Sequence, residues 1–179
     1  LIRNSPTMSL QTRQLVKIKV AACQPTEVLS DESISIATML EYSSKAQMKG
    51  AVLTCFPECY LQGYIVEPER SRKLAISLDS DHFSSILAQL GRLDITIVFG
   101  LIEIRHNLLF NTAVVVKKGS LLGAYRKSNL TTGESKVFTP GDEYPVFDLD
   151  GIRFGINICY DLNFQRCAKQ VAAQGAQLL

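Results

Sequence analysis

The period of apolar and polar positions changes along the chain, and each change marks an element. Residues 17–23 (KIKVAAC) alternate and then run apolar, which predicts a strand entering a buried sheet, stopped by Gln24 and Pro25. Ser30 and Asp31 offer an N-cap, apolar positions recur at Ile34, Ala37, Leu40 and Tyr42, and Gly50 closes the pattern. An amphipathic helix is predicted between them. The wholly apolar AVLTCF at 51–56 predicts a strand covered on both faces and ended by Pro57. After an irregular stretch at 60–64, helical patterns run over 70–78 and through Phe83, Ile86, Leu87 and Leu90, and ITIVFG at 95–100 reads as another buried strand.

Beyond Gly100 the pattern shifts. LIEI, FNTAVVV and LLGAYRK predict successive antiparallel strands, with a turn at 117–120. VFDLDG and IRFGINIC predict a hairpin around Asp150-Gly151 that ends at Cys159, residues 164–175 a helix, and AQLL at 176–179 the start of one more strand. Strand–helix alternation followed by antiparallel strands, with no linker or repeat, predicts one α/β domain over residues 17–179. Residues 1–16 are expected to be an N-terminal extension, within which Met8 reads as a native start.

Composition narrows the class. With 46% hydrophobic and 20% charged residues in 179, the chain is not disordered, and no apolar run approaches the length of a membrane span. A soluble protein is expected. The net charge of +2 is scattered, without a basic and aromatic stripe, which argues against nucleic acid or a membrane surface as partner. Five cysteines, an odd count, and the lack of an apolar leader predict a reducing, cytoplasmic setting.

Three reactive residues stand at the ends of predicted strands, where a rigid sheet delivers a chain into a cleft. Glu58 follows AVLTCFP, Lys127 closes LLGAYR, and Cys159 closes IRFGINI. A thiol is a strong nucleophile once deprotonated; a carboxylate can take its proton, and an ammonium can lower its pKa and stabilise an oxyanion. Together they suit acyl transfer. Taken singly, each has an ordinary reading: Cys159 as a small buried hydrophobe, Glu58 as a polar strand end, Lys127 as an exposed base. A metal site competes weakly, since there is no CxxC and His82 and His106 have no nearby partner.

The segments resemble, in order, those of the nitrilase superfamily, the carbon-nitrogen hydrolases: FPE at 56–58, YRK at 125–127, GESKVFTPG at 133–141 and ICYD at 158–161, with FNTAVVV also matching. The resemblance implies an α-β-β-α sandwich of four layers that pairs into a homodimer or higher homo-oligomer. It implies that Cys159 is the nucleophile, Glu58 the general base and then acid, and Lys127 the transition-state stabiliser. Glu134 would orient substrate and Lys127, and the Tyr160 backbone N–H would share the oxyanion. The implied substrate is a small amide or carbamoyl compound, amide ahead of nitrile, with no metal or organic cofactor. Some positions depart from the usual pattern. Asn129 stands where many members have His, and is expected to tune the pocket; NFQR at 163–166 replaces Arg-Phe-Pro-Glu at the start of the helix behind the nucleophile. The family domain continues beyond AQLL, so the sandwich is expected to be incomplete at its C-terminus. An inactive homologue or fragment serving as a binding or assembly subunit is the alternative. A flavodoxin-like domain is a weaker one, because QPTEVLSD stands where a Gly-rich phosphate loop would be.

Overall fold

In the structure, a computed structural model that describes residues 17–179, strand and helix alternate as far as the third strand. The expected extension 1–16 lies outside the described residues. The elements are β1 (Val20–Ala22), α1 (Glu32–Met48), β2 (Leu53–Cys55), α2 (Pro68–Leu74), α3 (Asp81–Leu90), β3 (Thr96–Arg105), β4 (Leu108–Lys117), β5 (Ser120–Arg126), β6 (Phe147–Leu149), β7 (Ile152–Phe154) and α4 (Gln165–Ala173). Among the described residues β1 to β5 form one sheet in sequence order, parallel from β1 to β3 and antiparallel from β3 to β5. β6 and β7 form a separate hairpin.

Alternation along β3 separates two cores. Ile97, Phe99 and Leu101 meet Ile36 and Met39 of α1 and Phe83, Ile86 and Leu90 of α3. Val98, on the other face, joins Ala113, Val115 and Tyr125 against Phe147, Leu149 and Phe154 of the hairpin. Gly155 then turns its free face to α4, where a Cβ would stand 2.7 Å from Val171 Cβ. The order of layers is therefore helix, sheet, hairpin, helix, an α/β arrangement of the expected kind. The strand expected in AQLL begins as a parallel bridge between Leu178 and Phe154.

The structure corrects four readings. The helix α1 is capped as expected, Asp31 Oδ1 accepting from Ile34 N–H at 3.1 Å, but it buries a different face. Ile34 and Tyr42 are 49% and 37% exposed, and the sheet receives Ser35, Ile36, Met39, Ser43 and Ala46. Ser43 Oγ pairs with Thr54 Oγ1 of β2 at 3.0 Å, so the polar serines that hid this face from a hydrophobicity pattern are satisfied inside it. Second, α2 ends at Leu74, after which Ile76 bridges to Glu103. Third, LIEI is not a separate strand: β3 runs unbroken from Thr96 to Arg105, and the turn falls at His106-Asn107, both at positive φ.

Gly100 in the middle of β3 marks a close approach and not a break. A Cβ there would lie 2.7 Å from the Pro57 carbonyl oxygen, 2.8 Å from the Glu58 carbonyl carbon and nearer still to Cys59 N. The loop that carries Glu58 lies flat on this strand, held by Gly100 N–H to Pro57 C=O at 3.2 Å and Leu61 N–H to Gly100 C=O at 3.0 Å. Fourth, β7 ends at Phe154, short of Cys159, because the Asp161 carboxylate captures Ile158 N–H and starts a short 3-10 helix at Cys159–Asn163.

Gly100→Ala is expected to cost about 1–3 kcal/mol by overpacking against backbone that has no side-chain end to yield. Urea denaturation of the two proteins measures it, and equal midpoints would contradict the close approach.

Candidate active site

Each charged group of the site is delivered by a separate rigid element. Pro57 ends β2, Glu58 follows, and Cys59 at φ +51 bends the loop back so that Gly63 N–H reaches Cys59 C=O at 2.8 Å. Lys127 continues β5, its N–H bonded to Asn111 C=O at 2.9 Å and its own C=O accepting from Gly141 N–H at 2.9 Å. Glu134 opens a short 3-10 helix, Glu134–Lys136, where its Oε2 accepts from Thr131 N–H at 2.8 Å.

These elements converge on one buried ammonium. Lys127 is 1% exposed, and its Nζ donates to Glu58 Oε1 and to Glu134 Oε1, each at 2.6 Å. Burial alone would depress the Lys127 pKa, but the hydrogen bonds and charges of Glu134 and Glu58 outweigh it and raise it to about 12. Glu134 shows the mirror image: burial would raise it, and Lys127 with the Thr131 N–H holds it below the usual carboxylate value. Lys127 is thus a permanent cation at neutral pH.

Asn111 completes the cluster and was not singled out in the sequence. Its Nδ2 donates to Glu58 Oε1 at 2.6 Å and to Glu134 Oε1 at 3.3 Å. It is a polar residue inside FNTAVVV on a strand buried on both faces, and that misfit was its only signal.

Cys159 faces this cluster from the first residue of its 3-10 helix, at φ +44, a conformation few residues with a Cβ adopt. It is exposed and shares a cleft of about 120 Å³ with Pro57, Glu58, Gly100, Asn157 and Ile158. The expected pull of Lys127 on its pKa is present but outweighed, by burial first and the Glu58 charge second, and the thiol sits above its ordinary value of 9.0. It rests as a thiol with a carboxylate beside it. The Tyr160 side chain is exposed and edge-stacked on Phe164 at 5.3 Å. Its N–H precedes the first helical bond, Asp161 N–H to Ile158 C=O, so it has no intrahelical acceptor.

Asn129 does not tune the pocket as expected. It is buried, its Nδ2 donating to Asp161 Oδ1 at 2.8 Å and to Cys167 Sγ at 3.0 Å, and its Oδ1 accepting from Arg166 Nη2 at 2.8 Å. Asp161, the last residue of ICYD, has no exposed surface and was also passed over. Tyr64, beside the two carboxylates, has its phenol pushed up to about 12 by burial first and then by Glu134 and Glu58.

The shared donor gives a direct test of the cluster. Asn111→Asp would replace it with a third carboxyl group and is expected to lower stability on the order of 3 kcal/mol at pH 7. The new acid would be raised in the folded state, so the loss should shrink as pH falls toward 5. Denaturation midpoints at both pH values read this, and a pH-independent loss would speak against the charge cluster.

Comparison with known proteins agrees with this architecture. The carbon-nitrogen hydrolase family signature matches residues 19–179. The chain is 33% identical to the chloroplastic omega-amidase of Arabidopsis thaliana, over 96% of this chain and 50% of that protein. It is 32% identical to the nitrilase of Pyrococcus abyssi, over 92% and 63% respectively. It therefore spans about half to two thirds of the length of these relatives. Among solved structures, the glutamine-dependent NAD+ synthetase of Acinetobacter baumannii superimposes with a TM-score of 0.77 at 28% identity, covering 89% of this chain and 31% of that one. A variant of the amidase from Nesterenkonia sp. AN1, with acrylamide added at its active-site cysteine, superimposes with a TM-score of 0.80 at 24% identity, covering 90% and 65%. The matched signature, the relatives and the layered fold place this chain in the carbon-nitrogen hydrolase family.

Proposed function

We propose that this chain carries the catalytic residues of a thiol-dependent amidase acting on a small linear amide or carbamoyl compound. The observation that carries the reading is the buried Lys127 ammonium, held by Glu134 and by Glu58, the latter lining the same cleft as the exposed Cys159 thiol.

The chemistry follows from the charges. Cys159 rests protonated, so its attack needs a base, and Glu58 lines the same cleft. As sulfur bonds to the amide carbon, the thiol proton passes to Glu58 and the carbonyl oxygen takes the negative charge. Lys127 and the Tyr160 N–H stabilise that oxygen. When the carbon–nitrogen bond breaks, Glu58 returns the proton to the departing nitrogen, releasing ammonia or an amine and leaving a thioester. Water then gives a proton to Glu58 while its oxygen bonds to the thioester carbon; the carbon–sulfur bond breaks and the proton returns to sulfur. Glu134 is the orienting group, since it fixes Lys127 while Glu58 changes its protonation. An amide is favoured over a nitrile because the relatives include proteins named as amidases and omega-amidases, and because this cycle supplies a proton to a leaving nitrogen.

Glu58→Gln separates the two roles of Glu58 by sign. Amide hydrolysis, read as ammonia release, is expected to fall about 100-fold or more with the base removed. Alkylation of Cys159 by acrylamide at pH 8 is expected to become faster, because removing the Glu58 charge lowers the thiol pKa. Cys159→Ala should abolish both. Ammonia release that survives Cys159→Ala, or the absence of turnover on amides, carbamoyl compounds and nitriles alike while Cys159 alkylates normally, would overturn the proposal.

A further inference from the structure

Asp161 lies two residues beyond Cys159, and its carboxylate accepts five hydrogen bonds without donating any. Oδ2 takes Tyr125 Oη–H at 2.7 Å and Ile158 N–H at 3.1 Å; Oδ1 takes Ser128 Oγ–H at 3.1 Å, Asn129 N–H at 2.8 Å and Asn129 Nδ2 at 2.8 Å. Burial pushes the Tyr125 phenol well above its ordinary range, so it remains a donor. Tyr125, Ser128 and Asn129 belong to the end of β5 and the segment around Lys127, whereas Ile158 is the residue before Cys159. One side chain therefore ties the strand end that carries the ammonium to the turn that carries the thiol.

A second layer stands behind it. Arg166 lies in the first turn of α4, where the helix dipole disfavours a cation. Its Nη2 donates to Asn129 Oδ1 at 2.8 Å, which fixes the amide so that Nδ2 faces Asp161. The guanidinium also lies 6.0 Å over the Phe164 ring, against which Tyr160 is stacked. Asn129 and Arg166 are two of the positions at which the sequence departs from the pattern it resembles, and in the fold they are bonded to each other. An imidazole facing a carboxylate would meet the same need with opposite charges, because a ring carrying both N–H groups can donate to Asp161 and to a glutamate at position 166.

We propose that Asp161 is a positioning residue for Cys159, and that Asn129 and Arg166 act as one unit that orients the Asp161 carboxylate and so holds the thiol against Glu58 and Lys127. The proposal deepens the amidase reading and rests on it for the assignment of Cys159.

The test measures the pH dependence of acrylamide addition to Cys159, located by peptide mass, together with kcat, KM and the thermal midpoint. The ionisable groups acting on Cys159 are Glu58, Lys127 and Glu134, none of which is altered. In Asp161→Asn the thiol should drift from Glu58 and further into solvent. The alkylation midpoint is then expected to fall toward that of an ordinary thiol, and kcat to drop about 100-fold with KM little changed. Arg166→Glu, at an exposed position, should shift both readouts in the same direction, and Asn129→His combined with Arg166→Glu should restore them. Unchanged midpoint and kcat in Asp161→Asn would overturn the proposal, as would a loss of thermal stability with the alkylation midpoint left in place. A double variant no better than the sum of its singles would overturn the Asn129–Arg166 unit. Should Asp161→Asn fail to fold, the Arg166 arm alone decides. Hydrolysis that persists in Cys159→Ser sinks the amidase reading instead, while the alkylation midpoint still reports where the thiol sits.

Discussion

A buried ammonium must be met by carboxylates, and the site is organised around that requirement. Taking Lys127 out of water carries a desolvation penalty of several kcal/mol, which only close and well-oriented counter-charges offset. Glu58 and Glu134 each reach it at 2.6 Å, one from the loop after β2 and the other from a 3-10 helix after β5. Displacing either would leave the buried cation with a single counter-charge. The loop carrying Glu58 is pressed against Gly100, and the helix carrying Glu134 is anchored through Thr131, so both carboxylates are held from behind as well.

The cluster holds two carboxylates against one ammonium, and that imbalance shapes the thiol. Burial first, and then the surplus negative charge beside it, keep Cys159 protonated, and the same carboxylate that raises its pKa lines the cleft. A resting thiol with an adjacent base differs from a preformed thiolate: its nucleophilicity is released only as the proton moves. The hydrogen-bonded Asp161 network is separate from this charge cluster. It bonds to backbone and hydroxyl groups and acts on where the turn lies.

Much of this was legible in the residues. The cap at Asp31, the stop at Pro57 and the turn at Asp150-Gly151 all lie where local chemistry demands them, because capping and turn preferences are set within a few residues. The misreadings share another cause. The buried face of α1 was hidden because Ser35 and Ser43 are polar: Ser35 is satisfied within its own helix by the Asp31 C=O, and Ser43 by Thr54 of β2, which is remote from any hydrophobic pattern. Gly100 looked like a break because its neighbour across space, the Pro57–Cys59 backbone, is remote in sequence. Asn111, Asp161 and Arg166 went unassigned as site residues for the same reason.

Local reading of period, caps and breakers therefore yielded the α/β class, most of the element order and the three reactive residue types, because each depends on a few neighbouring residues. The folded arrangement decided which charges share Lys127, which way the Cys159 pKa moves, and that two of the departures, Asn129 and Arg166, are partners. Those outcomes depend on distances of a few ångströms between groups brought together only by folding, and on burial that multiplies the effect of each charge.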